Sequence, residues 1–124
     1  MPDQEYLNEM IQFFFTLQLL NKLYHWNTTS FARHKATDSF SSDLSNLIDK
    51  FVEIFIGRYK MKPHVTKVNL NSDYLTDTGI VTLFEQARKY LESMNGRITN
   101  SDILNIRDEL LSEVNKMLYL FTLN

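Results

Sequence analysis

Apolar side chains recur every three or four residues through four long stretches of the chain, which is the spacing that collects them on one face of an α-helix. The first stretch follows Pro2 and Asp3, a helix-start signal, and predicts helix one from about residue 3 to about residue 27. A polar turn at residues 28–30 precedes helix two, predicted over about 31–60 and ended by Pro63. Helix three is predicted over about 76–94, and helix four from about residue 100 onward.

The stretch between helices two and three differs from the rest because it mixes a few apolar residues with turn-forming Asn, Ser and Asp. We interpret it as a long crossover, and we expect Asn95-Gly96 to cap helix three. Two helices with a short turn, one long crossover and two more helices with a short turn are typical of one bundle topology. The pattern therefore predicts an all-α fold, a ferritin-like four-helix bundle with one long crossover between helices two and three.

Composition narrows the class of protein. A length of 124 residues supports one domain, residues 1–124. The net charge of -2 gives no electrostatic argument for nucleic acid. Because the chain has no Cys, His, Asp, Glu or backbone groups would have to hold any metal. Its apolar runs are shorter than the roughly 20 residues that span a bilayer. The acidic start at Asp3 and Glu5 is unlike a signal peptide, so we expect a cytoplasmic protein without membrane contact.

Helix two carries two pairs of candidate metal ligands, His34 with Asp38 and Asp49 with Glu53. In each pair the four-residue spacing puts both side chains on the same side of the helix, where they can reach a common ion. At about 100° per residue all four lie within an arc of about 100°, separate from the apolar stripe. His25 ends helix one just before the turn and can join the half that contains His34.

The two pairs are too far apart to meet within one chain. Their midpoints lie about 22 Å apart along the helix, whereas metal–ligand bonds are about 2 Å long. Antiparallel packing of helix two on its own copy, about a two-fold axis, would bring His34 and Asp38 opposite Asp49 and Glu53 of the partner. Two His and up to three carboxylates suit ferrous iron with an open coordination position, and zinc and manganese remain alternatives.

These residues resemble the motifs of Dps, the mini-ferritin family. The matching segments, in the family's order, are His25-Trp26-Asn27 at the end of helix one, then His34-x3-Asp38 and Asp49-x3-Glu53 along helix two. The resemblance implies that His25, His34 and Asp38 from one subunit and Asp49 and Glu53 from its neighbour form a ferroxidase centre, with Trp26 beside it. Trp26 would either protect the site from radical damage or pack against neighbouring side chains.

The resemblance also implies an activity and an assembly. Peroxide or dioxygen would oxidise ferrous iron at the centre, and ferric mineral would collect inside a cage of twelve subunits, which stores iron and limits oxidative stress. The chain departs from the family in a turn about three residues shorter and in lacking a Lys-rich tail, so we do not expect the family's DNA binding. Two alternatives stay open: a non-catalytic structural or DNA-associated assembly protein, and a dimeric di-metal protein that never closes a cage.

Overall fold

Four helices account for most of the structure, a computed structural model that describes residues 2–123. Met1 and Asn124, the two ends of the predicted domain, lie outside that range. The helices are α1 (Gln4–Asn27), α2 (Phe31–Tyr59), α3 (Asp77–Ser93) and α4 (Ser101–Leu120), with short 3₁₀ helices at Ser72–Leu75 and Met94–Gly96. Residues 2–123 contain no strand. The prediction of an all-α four-helix bundle is confirmed, and its helix boundaries are right to within one or two residues.

Short polar side chains mark where three of the helices begin. Asp3, Ser30 and Thr76 each precede a helix, and each accepts a hydrogen bond from the backbone N–H three residues further on, at 2.9, 3.2 and 2.9 Å. Each cap satisfies one of the N–H groups that the first turn of a helix leaves without a partner. The polar turn at residues 28–30 thus begins α2 as well as ending α1.

The prediction that Asn95-Gly96 caps α3 is wrong. No glycine has a positive φ, and Met94–Gly96 instead tightens into a 3₁₀ turn in which the Arg97 N–H donates to the Met94 carbonyl at 3.0 Å. The left-handed cap lies at the end of α2, where Lys60 adopts φ 55° and ψ 45° three residues before Pro63. Lys60 thus takes a conformation that usually selects glycine or asparagine.

The crossover, residues 60–76, determines the direction of the last two helices. It runs back along α1, where the side-chain amides of Gln4 and Gln12 donate to the carbonyls of Lys62 and Lys67 at 2.7 and 3.3 Å. Because it returns the chain to the end of the bundle where α2 began, α3 runs parallel to α2. The short connection to α4 then makes α4 parallel to α1. Around the bundle, α2 packs between α1 and α4, and α3 packs against the same two helices.

Aromatic side chains form much of the core between the helices. Phe14 of α1 meets Phe51 of α2 edge-on, with ring centroids 5.5 Å apart, and Phe40 of α2 packs on Phe84 of α3 at 5.0 Å. All four rings are buried. Their packing joins α2 to α1 and to α3. Within residues 2–123 no helix combines the length and the apolar character needed to cross a bilayer.

Arg33 joins the helix ends at the top of the bundle, which we define as the end where α2 begins. Its guanidinium donates to the Tyr24 hydroxyl and the Asp77 carbonyl, both at 2.9 Å, and to the Phe121 carbonyl at 3.0 Å. The Tyr24 hydroxyl in turn donates to Asp77 Oδ1 at 2.8 Å. One side chain from α2 therefore fixes the last turns of α1 and α4 and the first turn of α3.

At Gly79 a neighbouring backbone segment lies too close for a side chain, so a substitution there tests the geometry of the crossover. A Cβ at Gly79 would lie 2.0 Å from the Asp73 carbonyl oxygen, whereas a Cβ at the exposed Gly57 would meet nothing within 4 Å. We expect Gly79→Ala to lower the free energy of unfolding by about 1–3 kcal/mol, because the backbone must shift. Gly57→Ala is the control and should raise it by about 0.5–1 kcal/mol. Urea denaturation measures both, and equal effects would contradict the contact.

Buried tyrosine hydroxyls predict sensitivity to alkali. The hydroxyls of Tyr6 and Tyr90 are buried without a hydrogen-bond partner among residues 2–123, and desolvation raises the pKa of both. The hydroxyl of an unfolded tyrosine ionises near pH 10, whereas the folded hydroxyl, with its raised pKa, stays protonated above that pH. The free energy of unfolding is therefore unaffected by these groups below about pH 10 and falls as the pH rises above it. We expect Tyr90→Phe to be at least as stable as the wild type at neutral pH and to lose less stability between pH 10 and 12. Urea titrations across that range test this, and an unchanged alkaline loss would count against it.

Candidate metal centre

His25 and His34 lie against each other where α1 ends and α2 begins. Their rings are stacked, with centroids 3.9 Å apart and planes inclined by 14°. Each Nδ1 lies near the backbone carbonyl of the other residue: His25 Nδ1 is 2.8 Å from the His34 oxygen, and His34 Nδ1 is 2.9 Å from the His25 oxygen. The short turn between the helices is what brings the two residues together.

This exchange of hydrogen bonds fixes which nitrogen of each ring carries the proton. A carbonyl oxygen can only accept, so in the neutral form both rings carry the proton on Nδ1 and leave the lone pair of Nε2 free. Metal-binding histidines commonly have this arrangement, with one nitrogen donating to a carbonyl or carboxylate and the other binding the ion. Both rings therefore have the orientation and the protonated Nδ1 that metal-binding histidines commonly show.

Asp38 is the third group at this end of α2. Its Oδ1 lies 4.0 Å from His25 Nε2, and its side chain is 66% exposed while that of His25 is 8% exposed. Two atoms that each bind one ion at about 2 Å can be at most about 4 Å apart. The separation is at that upper limit, so Asp38 would move slightly inward to share an ion with His25, and its exposed side chain is free to do so.

Thr37 and Asn21 support the histidines, and the sequence analysis missed both. Thr37 Oγ1 lies 3.0 Å from His25 Nδ1 and donates its own proton to the Arg33 carbonyl at 2.7 Å, so it can accept from the ring. The Asn21 side-chain amide donates to the Thr37 carbonyl at 3.0 Å. Both residues are fully buried. Their burial could have been predicted from the sequence, because both are polar residues at positions that helix periodicity places in the contact between α1 and α2.

Asp49 and Glu53 lie elsewhere. Both are exposed on α2, about 22 Å further along the helix than the first pair and on the same side of it. Within residues 2–123 no group of three or more His, Asp or Glu side chains is close enough together to hold a metal ion. His25, His34 and Asp38 are thus neighbours at one end of α2 that do not converge on a single point, and Asp49 and Glu53 lie apart from them. We call the first group the histidine half-site and the second the carboxylate half-site.

Trp26 directly follows His25 and is largely exposed. Its side chain is 64% exposed, and the Lys22 ammonium lies 5.6 Å from the centre of a ring. A single chain therefore leaves a large apolar surface uncovered next to its candidate ligands.

The hydrogen bonds of the histidine half-site predict a measurable tautomer. In ¹H–¹⁵N correlation spectra at a pH where the rings are neutral, we expect His25 and His34 both to show a protonated Nδ1 and an unprotonated Nε2. Exposed His64, whose ring has no such partner within the described chain, is the internal control and should show the mixture typical of free imidazole. A protonated Nε2 on either half-site histidine would contradict the geometry.

Comparison with known proteins places the chain in a family. The model of a family of unknown function, DUF5856, matches residues 25–121, a range that contains all five candidate ligands and Trp26. The chain is also similar to an uncharacterized 14.6 kDa protein in the mobD-ri intergenic region of Enterobacteria phage T4, with 43% identity over 54 residues. That match covers 44% of this chain and 41% of the phage protein, so the chain spans less than half the length of that relative. No solved structure matches. Since the family model covers well over half of the chain, the protein belongs to the DUF5856 family.

Proposed function

We propose that this protein is a mini-ferritin of the Dps type, which binds ferrous iron between two subunits and oxidises it with peroxide or dioxygen. Iron is the substrate, and the ferric product is stored. The bundle topology supports the ferritin-like assignment, because α2 and α3 are parallel and joined by one crossover along the bundle, as in ferritin-like folds.

The histidine half-site is the observation that carries the proposal. Two buried or half-buried imidazoles have their Nδ1 atoms engaged by carbonyls and their Nε2 atoms free, next to an exposed carboxylate. A buried ring that only packs in the core would also need a hydrogen bond at Nδ1, so the proposal depends on the two Nε2 atoms, which have no hydrogen-bond partner among residues 2–123. The arrangement suits a metal but provides too few ligands to hold one firmly.

The stacking of the rings favours two ions rather than one. An imidazole binds a metal in the plane of its ring, and the planes of His25 and His34 are 14° from parallel with centroids 3.9 Å apart. Nearly parallel planes do not meet close to the rings, so one ion cannot lie in both. Each histidine would therefore hold its own ferrous ion. A pair of ions is what the reduction of peroxide by two electrons requires.

The carboxylate half-site of a second copy would complete the ligand set. An antiparallel two-fold pairing of α2 on its copy brings Asp49 and Glu53 of the partner opposite His34 and Asp38. Each ferrous ion would lose one electron, and one peroxide with two protons would accept both electrons and leave as two waters. The carboxylates stabilise the extra positive charge of the ferric product, because hard oxygen ligands suit the ion of higher charge.

Several metals fit the types of ligand at this site. Zinc and manganese also accept imidazole and carboxylate ligands, and zinc would occupy the site without turnover. Iron is proposed because the ligand set is the one that the Dps resemblance implies and because two adjacent ions suit electron transfer to peroxide. The net charge of -2 gives no attraction for DNA, so DNA binding is not part of the proposal.

Iron oxidation by the purified protein tests the proposal. We expect peroxide-driven formation of ferric iron, followed by absorbance, to be at least tenfold slower in the double variant Asp49→Ala/Glu53→Ala, because the site loses the carboxylates that the second copy would supply. The matched control is Glu85→Ala/Glu92→Ala, which removes two exposed carboxylates from α3. Equal rates in the wild type and the Asp49/Glu53 variant would rule out the assigned site.

A further inference from the structure

Two neighbouring depressions with mostly apolar surfaces lie between α1 and α2 on the face that bears the candidate ligands, and both are lined in part by Phe15. The first is a cavity of about 330 Å³ whose lining includes Ile11, Phe14, Asp49, Val52 and Val65. The second lies beside Leu19 and Lys22 of α1 and Ser41 of α2. Phe15 and Leu19 are 40% and 46% exposed. We call this surface the α1–α2 groove.

Trp26 lies on the same stripe of α1 as the groove, at its opposite end. Phe15, Leu19, Lys22 and Trp26 recur at the three- and four-residue spacing that aligns side chains along one side of a helix. The face thus presents a protruding indole at one end and an apolar cavity at the other. The volume of the cavity, about 330 Å³, is at the lower end of the range for small-molecule pockets and is large enough for an indole ring.

We infer that Trp26 of each subunit inserts into the cavity end of the α1–α2 groove of a second copy of this chain. This inference rests on the two-fold arrangement of the proposed function, which it deepens by naming the surface that holds the two copies together. The indole and the cavity exchange places under the same antiparallel two-fold operation that pairs the half-sites. Asp49 lines the cavity, and Trp26 directly follows His25, so inserting the indole brings the two half-sites together.

Charge and size favour a second copy as the occupant. The end of the face with Trp26 carries Lys22 and Lys35, whereas the cavity end carries Asp49 and Glu53, so antiparallel pairing sets two lysines against two carboxylates. Asp38, also at the Trp26 end, would meet the partner's carboxylates at the proposed metal site, where the ions offset their negative charge. Ser41, Ser42 and Ser45 lie near the middle of α2, where short side chains allow close approach of the paired helices. Two helices about 40 Å long and about 10 Å wide offer about 800 Å² per subunit, the amount that a stable pair of proteins buries.

The fluorescence of Trp26, the only tryptophan, tests the inference directly. On assembly we expect blue-shifted emission and reduced acrylamide quenching, both lost on dilution as the subunits separate. Phe15→Glu should weaken association about thirtyfold, as expected for loss of a central aromatic contact, and leave Trp26 exposed at concentrations where the wild type is assembled. Tyr119→Glu is the matched control, because Tyr119 is 62% exposed but lies on α4.

A second variant covers the case in which Phe15→Glu fails to fold. Trp26→Ala removes a side chain that is mostly exposed in the single chain, so its circular dichroism should match the wild type while sedimentation shows about thirtyfold weaker association. An assembled wild type with Trp26 still exposed, or a Phe15→Glu protein that buries Trp26 normally, would overturn the inference.

The two proposals can fail separately. If Trp26 is buried on assembly but the Asp49/Glu53 variant oxidises iron at the wild-type rate, the surface stands and the function fails. If iron oxidation depends on Asp49 and Glu53 while Trp26 stays exposed, the function stands and this surface fails. A wild type that is monomeric at all concentrations contradicts both.

Discussion

The contacts of Arg33 hold the ends of all four helices in register, and the candidate site depends on that register. A guanidinium offers five donors in a rigid plane, and here they reach a hydroxyl from α1 and carbonyls at the start of α3 and the end of α4. A lysine at this position would provide a single charge and could not span the same three acceptors. Because Arg33 directly precedes His34, the network that closes the bundle also sets where α2 presents its first candidate ligand.

The histidine half-site follows from this arrangement and from the short turn before α2. With α1 and α2 held close, each histidine backbone carbonyl comes within reach of the other's ring, and the two hydrogen bonds determine the orientation of both rings. Thr37 and Asn21 add buried hydrogen bonds beneath them, so ring rotation would leave polar groups unpaired. The turn between α1 and α2 is shorter than is usual for Dps, but His25 and His34 remain neighbours, with their rings stacked against each other.

The second copy that we propose would both complete this half-site and cover the exposed surface beside it. A helix about 43 Å long cannot bring its own two ligand pairs together, but it can offer both pairs to its copy. The face that bears them also carries an exposed indole, an apolar cavity and opposite charges at its two ends. Coupling of the cavity contact to the metal site would make iron binding depend on assembly, because Asp49 belongs to both.

The sequence by itself determined the number, type and limits of the helices, since apolar periodicity and the caps at Asp3, Ser30 and Thr76 act over a few residues. It also determined that the ligand pairs share one side of α2 and lie too far apart to meet, because helical geometry is regular. Only the tertiary structure decided the network of Arg33, the tautomers of His25 and His34 and the supporting role of Thr37 and Asn21. These depend on contacts between residues that are distant along the chain or across a turn, and no local pattern specifies such contacts.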